Sequence, residues 1–191
     1  DGALDYLSWC EGIRVGRNYV SDGLSHLLDF RVDDVQMGVN GSELKLPAKK
    51  TVKVSARVAA RLDEAATSDI KRRPYTAHPY WHLERARIDG TREVTVELIQ
   101  NGFPVASKRL TADGAFNDVS FDFEVKRSSW LAVRILPSSH TNPIFVTVGD
   151  KPIRAFRRSI NWCLQGVENC WQNKQRFMKG EEIAQIGRAH V

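Results

Sequence analysis

Residues 51–62 read TVKVSARVAARL, and apolar side chains alternate with polar ones along almost the whole stretch. Successive side chains of a β-strand point to opposite faces of the sheet. This period of two therefore predicts a long strand with one buried face and one wet face. Because one strand is not stable alone in water, the rest of the chain has to supply partners.

The clearest partners are the residues on either side of Asn101-Gly102. Both positions tolerate the positive φ of a two-residue type I′ turn, so the pair predicts a hairpin. Its strands would run from Glu93 to Gln100 and from Val105 toward Leu110. The same reasoning predicts strands near residues 28–32, 81–88, 119–125 and 144–148, with a long surface loop at residues 63–80.

The segment from Trp130 to Leu136 differs from the other strands, because apolar side chains occupy both of its faces and only Arg134 interrupts them. This pattern indicates a central strand covered on both sides, or an interior position in a two-sheet sandwich. We expect the core to contain Val54, Val58, Val96, Phe121, Phe123, Leu131, Val133 and Ile135.

Helical spacing is found at both ends of the chain. Leu4, Leu7, Trp9 or Cys10, and Ile13 recur at helical spacing, and Gly16 stands where a C-cap glycine would. We expect this apolar face to be partly exposed. The second helix would carry an apolar stripe of Phe156, Ile160, Cys163, Leu164, Val167, Cys170 and Trp171. The predicted fold is mainly β: an antiparallel, immunoglobulin-like β-sandwich flanked by an N-terminal and a C-terminal helix.

Composition narrows the function classes. The 191 residues are 42% apolar and 27% charged, as in an ordinary globular domain, and no run is long enough to span a bilayer. The net charge of +5 comes from Lys and Arg scattered among 23 carboxylates. We therefore expect neither nucleic acid nor a membrane as a partner. Three cysteines are an odd number for a disulfide framework, and we expect Cys163 and Cys170 to be buried, inert thiols.

No catalytic constellation is visible. No H-x-H, H-E-x-x-H or cysteine-rich zinc spacing links the histidines, which are His26, His78, His82, His140 and His190. Pro79 lies between His78 and His82 and works against their presentation on one helix face. A G-x-S-x-G nucleophile elbow is also absent from the sequence. We predict no catalytic residue, no metal ligand and no cofactor in this chain.

Two phrases that lie far apart carry a resemblance to a known family. The first is Trp9-Cys10-Glu11-Gly12-Ile13-Arg14-Val15-Gly16-Arg17-Asn18-Tyr19-Val20. The second is Ser129-Trp130-Leu131-Ala132-Val133-Arg134, followed by His140-Thr141-Asn142-Pro143-Ile144-Phe145-Val146. In order and content they resemble the carboxy-terminal part of the CehA/McbA-like metallohydrolases, whose full-length members carry a PHP-type metal-binding barrel before this region. The resemblance runs from Leu7 to about Phe177.

The resemblance implies a division of the chain. Residues 1–16 would be a terminal helix remaining from a missing N-terminal barrel, 17–150 a β-sandwich domain, and 151–185 a C-terminal helical extension. The barrel would be the partner, and it would hold divalent metal ions that hydrolyse an ester, phosphoester or carbamate-type bond. The alternative is a free-standing β-sandwich module that binds carbohydrate or protein. Exposed aromatics on a sheet face would favour the module, and apolar surface on the first helix would favour the detached domain.

Three residues are candidates for substrate binding at the domain interface. His140 and Asn142 belong to the polar segment from Ser138 to Pro143. This segment either points at the barrel or is a turn that satisfies its own backbone. Arg17 either reaches a carboxylate or phosphate across the junction or caps the opening helix, whose C-terminal dipole it neighbours.

The end of the chain suggests a different origin. Ile186-Gly187-Arg188-Ala189-His190-Val191 is the translation of a widely used sequencing-library adapter. We therefore expect residues 186–191 to be a read-through artefact on a bacterial, metagenomic gene fragment. His190 would then have no biological role.

Overall fold

The computed structural model describes residues 5–74, 76–154 and 156–187. The chain divides into two compact units, Asp1–Ile153 and Arg154–Val191. All strands described lie in the first unit, together with an N-terminal helix. The strands are β1 (Tyr19–Val20), β2 (Ser25–Val32), β3 (Val35–Gln36), β4 (Glu43–Leu46), β5 (Lys50–Ala60), β6 (Glu93–Gln100), β7 (Phe103–Thr111), β8 (Asn117–Val125), β9 (Ser129–Ile135), β10 (Ser139–Thr141) and β11 (Ile144–Val148).

The strands form two sheets. In the seven-stranded sheet β9 is central: β6 and then β7 lie on one side of it, and β10 and β11 share the other side, followed by β1 and β4 respectively. The second sheet has the order β3-β2-β5-β8. Among the described strands every pairing is antiparallel except that of β11 with β4, which no hairpin connects. The predicted antiparallel β-sandwich with helices at both ends of the chain is confirmed.

The hydrophobic core joins the inner faces of the two sheets. Seven of the eight predicted core residues are buried, and the eighth, Phe123, is half-buried against them. The predicted hairpin is also present, with Gln100 paired to Phe103 and φ values of 51° at Asn101 and 91° at Gly102. These positive φ values explain why that dipeptide makes the turn.

Strand β2 departs from the predicted alternation. Leu27, rather than Leu28, is fully buried together with Phe30. The register with β5 shifts after Leu28, and Asp29 adopts a φ of 52°. Because a bulge adds one residue to one strand, it reverses which side chains face the core.

The loop after β5 contains the short helix α2 (Ser68–Arg72) and a 3₁₀ turn, Leu83–Ala86. The predicted strand at residues 81–88 is therefore wrong. A buried ion pair accounts for the turn, because Arg87 Nε lies 2.7 Å from Glu84 Oε1 and Arg87 Nη2 lies 2.9 Å from Glu84 Oε2. Side chains three residues apart meet on a helical turn, whereas an extended strand would separate them.

Helix α1 spans Tyr6–Arg14. At its C-terminus the backbone N–H of Arg17 donates to the carbonyl of Gly12 (2.8 Å), and that of Gly16 donates to Ile13 (3.0 Å). These two bonds form a Schellman motif, and the φ of 77° at Gly16 is the left-handed conformation that such a motif requires. The predicted C-cap glycine is confirmed.

The second unit contains α3 (Arg157–Lys174) and α4 (Gly180–Gly187). Cys163 and Cys170 are exposed, so their predicted burial is wrong. Both lie on the apolar stripe of α3, where Ile160, Leu164 and Val167 are exposed as well and Trp171 is half-buried. None of the helices in the described ranges has the length and hydrophobicity needed to span a bilayer. Residues 188–191 lie outside the described residues, and the adapter tail stays a prediction.

Candidate functional site

The segment that follows β9 splits into inward and outward side chains. Ser138, Ser139 and Thr141 are buried, whereas His140 is exposed and Asn142 is half-buried. In β10 this alternation follows from strand geometry, since successive side chains leave opposite faces of the sheet. The segment of residues 138–142 therefore contributes side chains both to the interior and to the outer surface.

The inward side is a buried hydroxyl network. Ser25 Oγ lies 2.6 Å from Ser138 Oγ and donates to Ser139 Oγ at 2.7 Å. Ser138 Oγ is also 2.7 Å from Asp22 Oδ1, and Asp22 Oδ2 accepts the backbone N–H of Leu83 at 2.6 Å. These bonds tie β2, the turn after β9, and the loops around residues 22 and 83 together. On this side the phrase is a structural turn.

Asn142 ties the sheet to the end of α1. Its amide nitrogen donates to the carbonyl of Gly16 at 3.2 Å and to Asn18 Oδ1 at 3.0 Å. Asn18 in turn donates to the carbonyl of Ile13 at 3.3 Å. Ile13 belongs to the last turn of α1, and Gly16 is the left-handed residue that follows the helix. The amide hydrogens of Asn142 are thus committed to the protein, and only its carbonyl oxygen is left for other partners.

His140 lies on the outer face of the seven-stranded sheet, directly opposite Arg134 in the β9–β10 register. Its Nδ1 is 3.2 Å from the carbonyl of Thr141. Because a carbonyl only accepts, Nδ1 carries the hydrogen, and Nε2 is the atom available to a ligand.

Arg17 faces a different hollow, which Asn18, Tyr19, Asp29 and Met37 also line. Its backbone N–H closes the Schellman motif, a bond that any residue except proline could make, so both predicted roles of the Arg17 side chain stay predictions. The Arg17 side chain is exposed. The structure therefore brings His140 and Asn142 to one groove and places Arg17 outside it.

Tyr19, which lines this hollow, also pairs with His26 outside it. Tyr19 Oη lies 2.6 Å from His26 Nδ1, and the two rings meet edge to face. Partial burial raises the pKa of the Tyr19 hydroxyl above its ordinary value. The phenol therefore stays protonated at neutral pH and can donate to the imidazole.

The groove that contains His140 and Asn142 lies over β9, at the point where its neighbouring strand changes from β10 to β11. It has a volume of about 370 Å³. Its lining consists mainly of hydrocarbon surface with a few polar groups: Ile99, Gly102, Trp130, Ala132, Arg134, Leu136, His140, Thr141, Asn142, Pro143 and Phe145. Small-molecule sites commonly have this size and this mixture.

Arg134 is the groove residue that sequence reasoning missed. Its Nε donates to Glu97 Oε2 at 2.6 Å across the β6–β9 pairing, and both side chains are about three-quarters covered. One signal was present in the sequence, namely a lone arginine in an otherwise apolar strand. A charge at such a position needs a partner and marks the face where a polar group is tolerated.

The described part of the chain contains no group of three or more His, Cys, Asp or Glu side chains placed to hold a metal ion. Ser138 and Asp22 are hydrogen-bonded, but among the described residues no histidine joins them as a base. His82 is used locally, since its Nδ1 accepts the backbone N–H of Glu84 at 3.1 Å. The size and lining of the groove over β9 make it a candidate for binding.

No known family model matches this chain, and no curated protein matches it either. Membership of the CehA/McbA-like group is thus a hypothesis that rests on the two phrases and their order.

Proposed function

We propose that this chain is the non-catalytic β-sandwich region of a PHP-type metal-dependent hydrolase, and that its catalytic barrel packs on α1. The observation that carries the proposal is the apolar surface of α1. Tyr6, Trp9 and Ile13 share one face of α1 and are 74%, 55% and 49% exposed. Leu7, at 76%, is exposed on another side of the helix, and Leu4 lies outside the described residues. Grouped apolar side chains of this kind usually mark a surface that another protein surface covers.

The support of α1 by the sandwich strengthens the proposal. The Schellman motif and the Asn142 hydrogen bonds hold the C-terminal end of the helix against β10 and β1. A held helix presents its side chains in a fixed arrangement, so little entropy is lost when a partner binds. Full burial of an exposed apolar side chain contributes about 1.5–3 kcal/mol, and the contribution of Trp9 and Ile13 is smaller because each is already about half covered.

The second candidate is a free-standing binding module, and a specific observation favours it. Trp130 and Phe145 pair across β9 and β11 and line the groove on the outer sheet face. Phe145 is 41% exposed. Aromatic side chains on a sheet face are what such a module would use. The two candidates therefore place the contact surface at different sites, which makes them separable.

The first test is the coding sequence upstream of Asp1. The proposal expects a barrel there with a histidine-rich H-x-H segment. An unrelated domain, or an intergenic region, would reject the hydrolase assignment.

The second test uses the two-domain protein. Trp9→Asp should lower turnover at least tenfold and make the junction sensitive to protease, while the metal content of the barrel stays the same. Phe103→Asp is the matched control, because Phe103 is a similarly exposed aromatic, at 59%, on the hairpin instead of α1. Equal effects of both substitutions would show that α1 has no special role.

A further inference from the structure

The groove over β9 is apolar in a place where the outer face of a sandwich is normally polar. Ala132 forms part of its floor and is only 6% exposed, and Ile99, which pairs with it on β6, is 3% exposed. Leu136 at the rim is 61% exposed. The hollow is thus deep enough to cover a small hydrophobic group and open enough to admit one.

The charges of the groove favour an anion over a cation. Arg134 and His140 are the titratable residues of its lining, and no carboxylate of the described residues belongs to it. Glu97 engages Arg134 through Nε. Within the described residues, no hydrogen bond from the two Nη groups of Arg134 is present. A guanidinium has five N–H donors, so these groups can bind a second carboxylate while the first stays in place.

We propose that this groove binds a small carboxylate with an aromatic or branched aliphatic body. The carboxylate lies on the Nη groups of Arg134, and the body lies between Trp130 and Phe145 over Ala132. His140 also lines the groove, from β10. With the hydrogen on Nδ1, its Nε2 is an acceptor and does not bind the carboxylate.

A sugar fits this surface less well. Its hydroxyl groups need many hydrogen-bond partners, and burying them without partners is costly. Asn142 has already committed both amide hydrogens to Gly16 and Asn18. Most of the remaining lining is hydrocarbon.

The proposal does not depend on the role of α1. The groove and the exposed helix residues are separate sets, so either can fail while the other stands. Trp130 lies in the groove and Trp9 lies on α1, and this provides a reporter for each surface.

The experiment titrates the whole chain with 3-phenylpropanoate and with its uncharged amide, and follows the indole N–H resonances by NMR. Trp130→Phe and Trp9→Phe identify the two reporter signals. We expect the Trp130 signal to shift saturably with the acid at concentrations up to about 10 mM, and the amide to bind roughly tenfold more weakly.

Two substitutions break the same ion pair and should act in opposite directions. Arg134→Gln should weaken binding of the acid roughly tenfold, because the charge-assisted hydrogen bonds are lost. Glu97→Gln should strengthen it severalfold, because it removes a competing carboxylate and keeps the guanidinium. A loss of stability alone would move both variants in the same direction. Ala132→Leu should block the acid and the amide alike by filling the floor.

Three results would overturn the proposal. One is the absence of a saturable shift of Trp130, and another is a shift of the Trp9 signal in its place. The third is a change of affinity in the same direction for Arg134→Gln and Glu97→Gln. Any of these would leave the docking role of α1 untouched.

Discussion

The two faces of β9 both carry apolar side chains, but their surroundings differ. The inner face carries Leu131, Val133 and Ile135, each at most 1% exposed against the second sheet. The outer face carries Trp130 and Ala132 together with a charged residue, and it borders an open groove. The inner face is core because the second sheet covers it, and the outer face is surface because an open groove borders it. The number of apolar residues in the strand does not show which face is covered.

The largest expected effect tests this difference directly. Leu131→Ala should lower the free energy of unfolding by about 4 kcal/mol, because it removes buried methyl groups and leaves a cavity. Leu136→Ala, at the exposed rim, should change it by less than ~0.5 kcal/mol. Urea unfolding of both variants measures the contrast. Similar losses would mean that another layer covers the outer face in solution.

Much of the sandwich could be predicted from alternation alone. The core positions of β5, β6, β8 and β9 follow a period of two, and Asn101-Gly102 fixes the hairpin between β6 and β7. The bulge in β2 could not be predicted, because Asp29 gives no sequence signal that separates a bulge from an ordinary polar strand position. Because of the bulge, Leu27 lies in the core where Leu28 was predicted.

The candidate site was predictable only in part. The phrase after β9 pointed to His140 and Asn142, and they do line one groove. Arg134 acquires its role from Glu97, which lies 37 residues away in sequence and becomes its neighbour through the register of β6 and β9. Such long-range pairing is not contained in local periodicity. Likewise, the hydrogen bonds from Asn142 to the end of α1 depend on β1 pairing with β10.

The second prediction separates the two sides of the phrase after β9. Ser138→Ala should cost about 1–2 kcal/mol of stability, because it removes hydroxyl bonds to Ser25 and Asp22 within a buried network. His140→Ala should leave the melting temperature within the few degrees expected of a roughly 1 kcal/mol change.

In the two-domain enzyme, His140→Ala should lower turnover if the groove helps to shape the mouth of the active site. Thermal unfolding and turnover of the same preparations give both quantities. Unfolding by His140→Ala, with normal turnover of the folded fraction, would place His140 on the structural side with Ser138.

The smallest expected effect concerns the edge of the other sheet, where a surface carboxylate has a structural role. Asp33 accepts the backbone N–H of Lys53 at 2.8 Å and the Lys50 ammonium at 2.9 Å, and it adopts a φ of 51°. Partial burial opposes ionisation, but the hydrogen bonds from Lys50 and Lys53 outweigh it and hold the pKa of Asp33 below its ordinary value. Asp33→Asn keeps a side chain that tolerates positive φ, so it tests the charge with little change in backbone strain.

Because the folded pKa of Asp33 is depressed, its contribution is present above the unfolded pKa and is lost as the pH falls through the folded pKa. Asp33→Asn should therefore cost about 1 kcal/mol at neutral pH, and the difference from the native chain should shrink steadily once the pH falls below about 4. Urea unfolding of the two proteins at matched pH values measures this difference. A gap that stayed constant down to about pH 3 would mean that the carboxylate acts through the shape of the turn and that its charge contributes little.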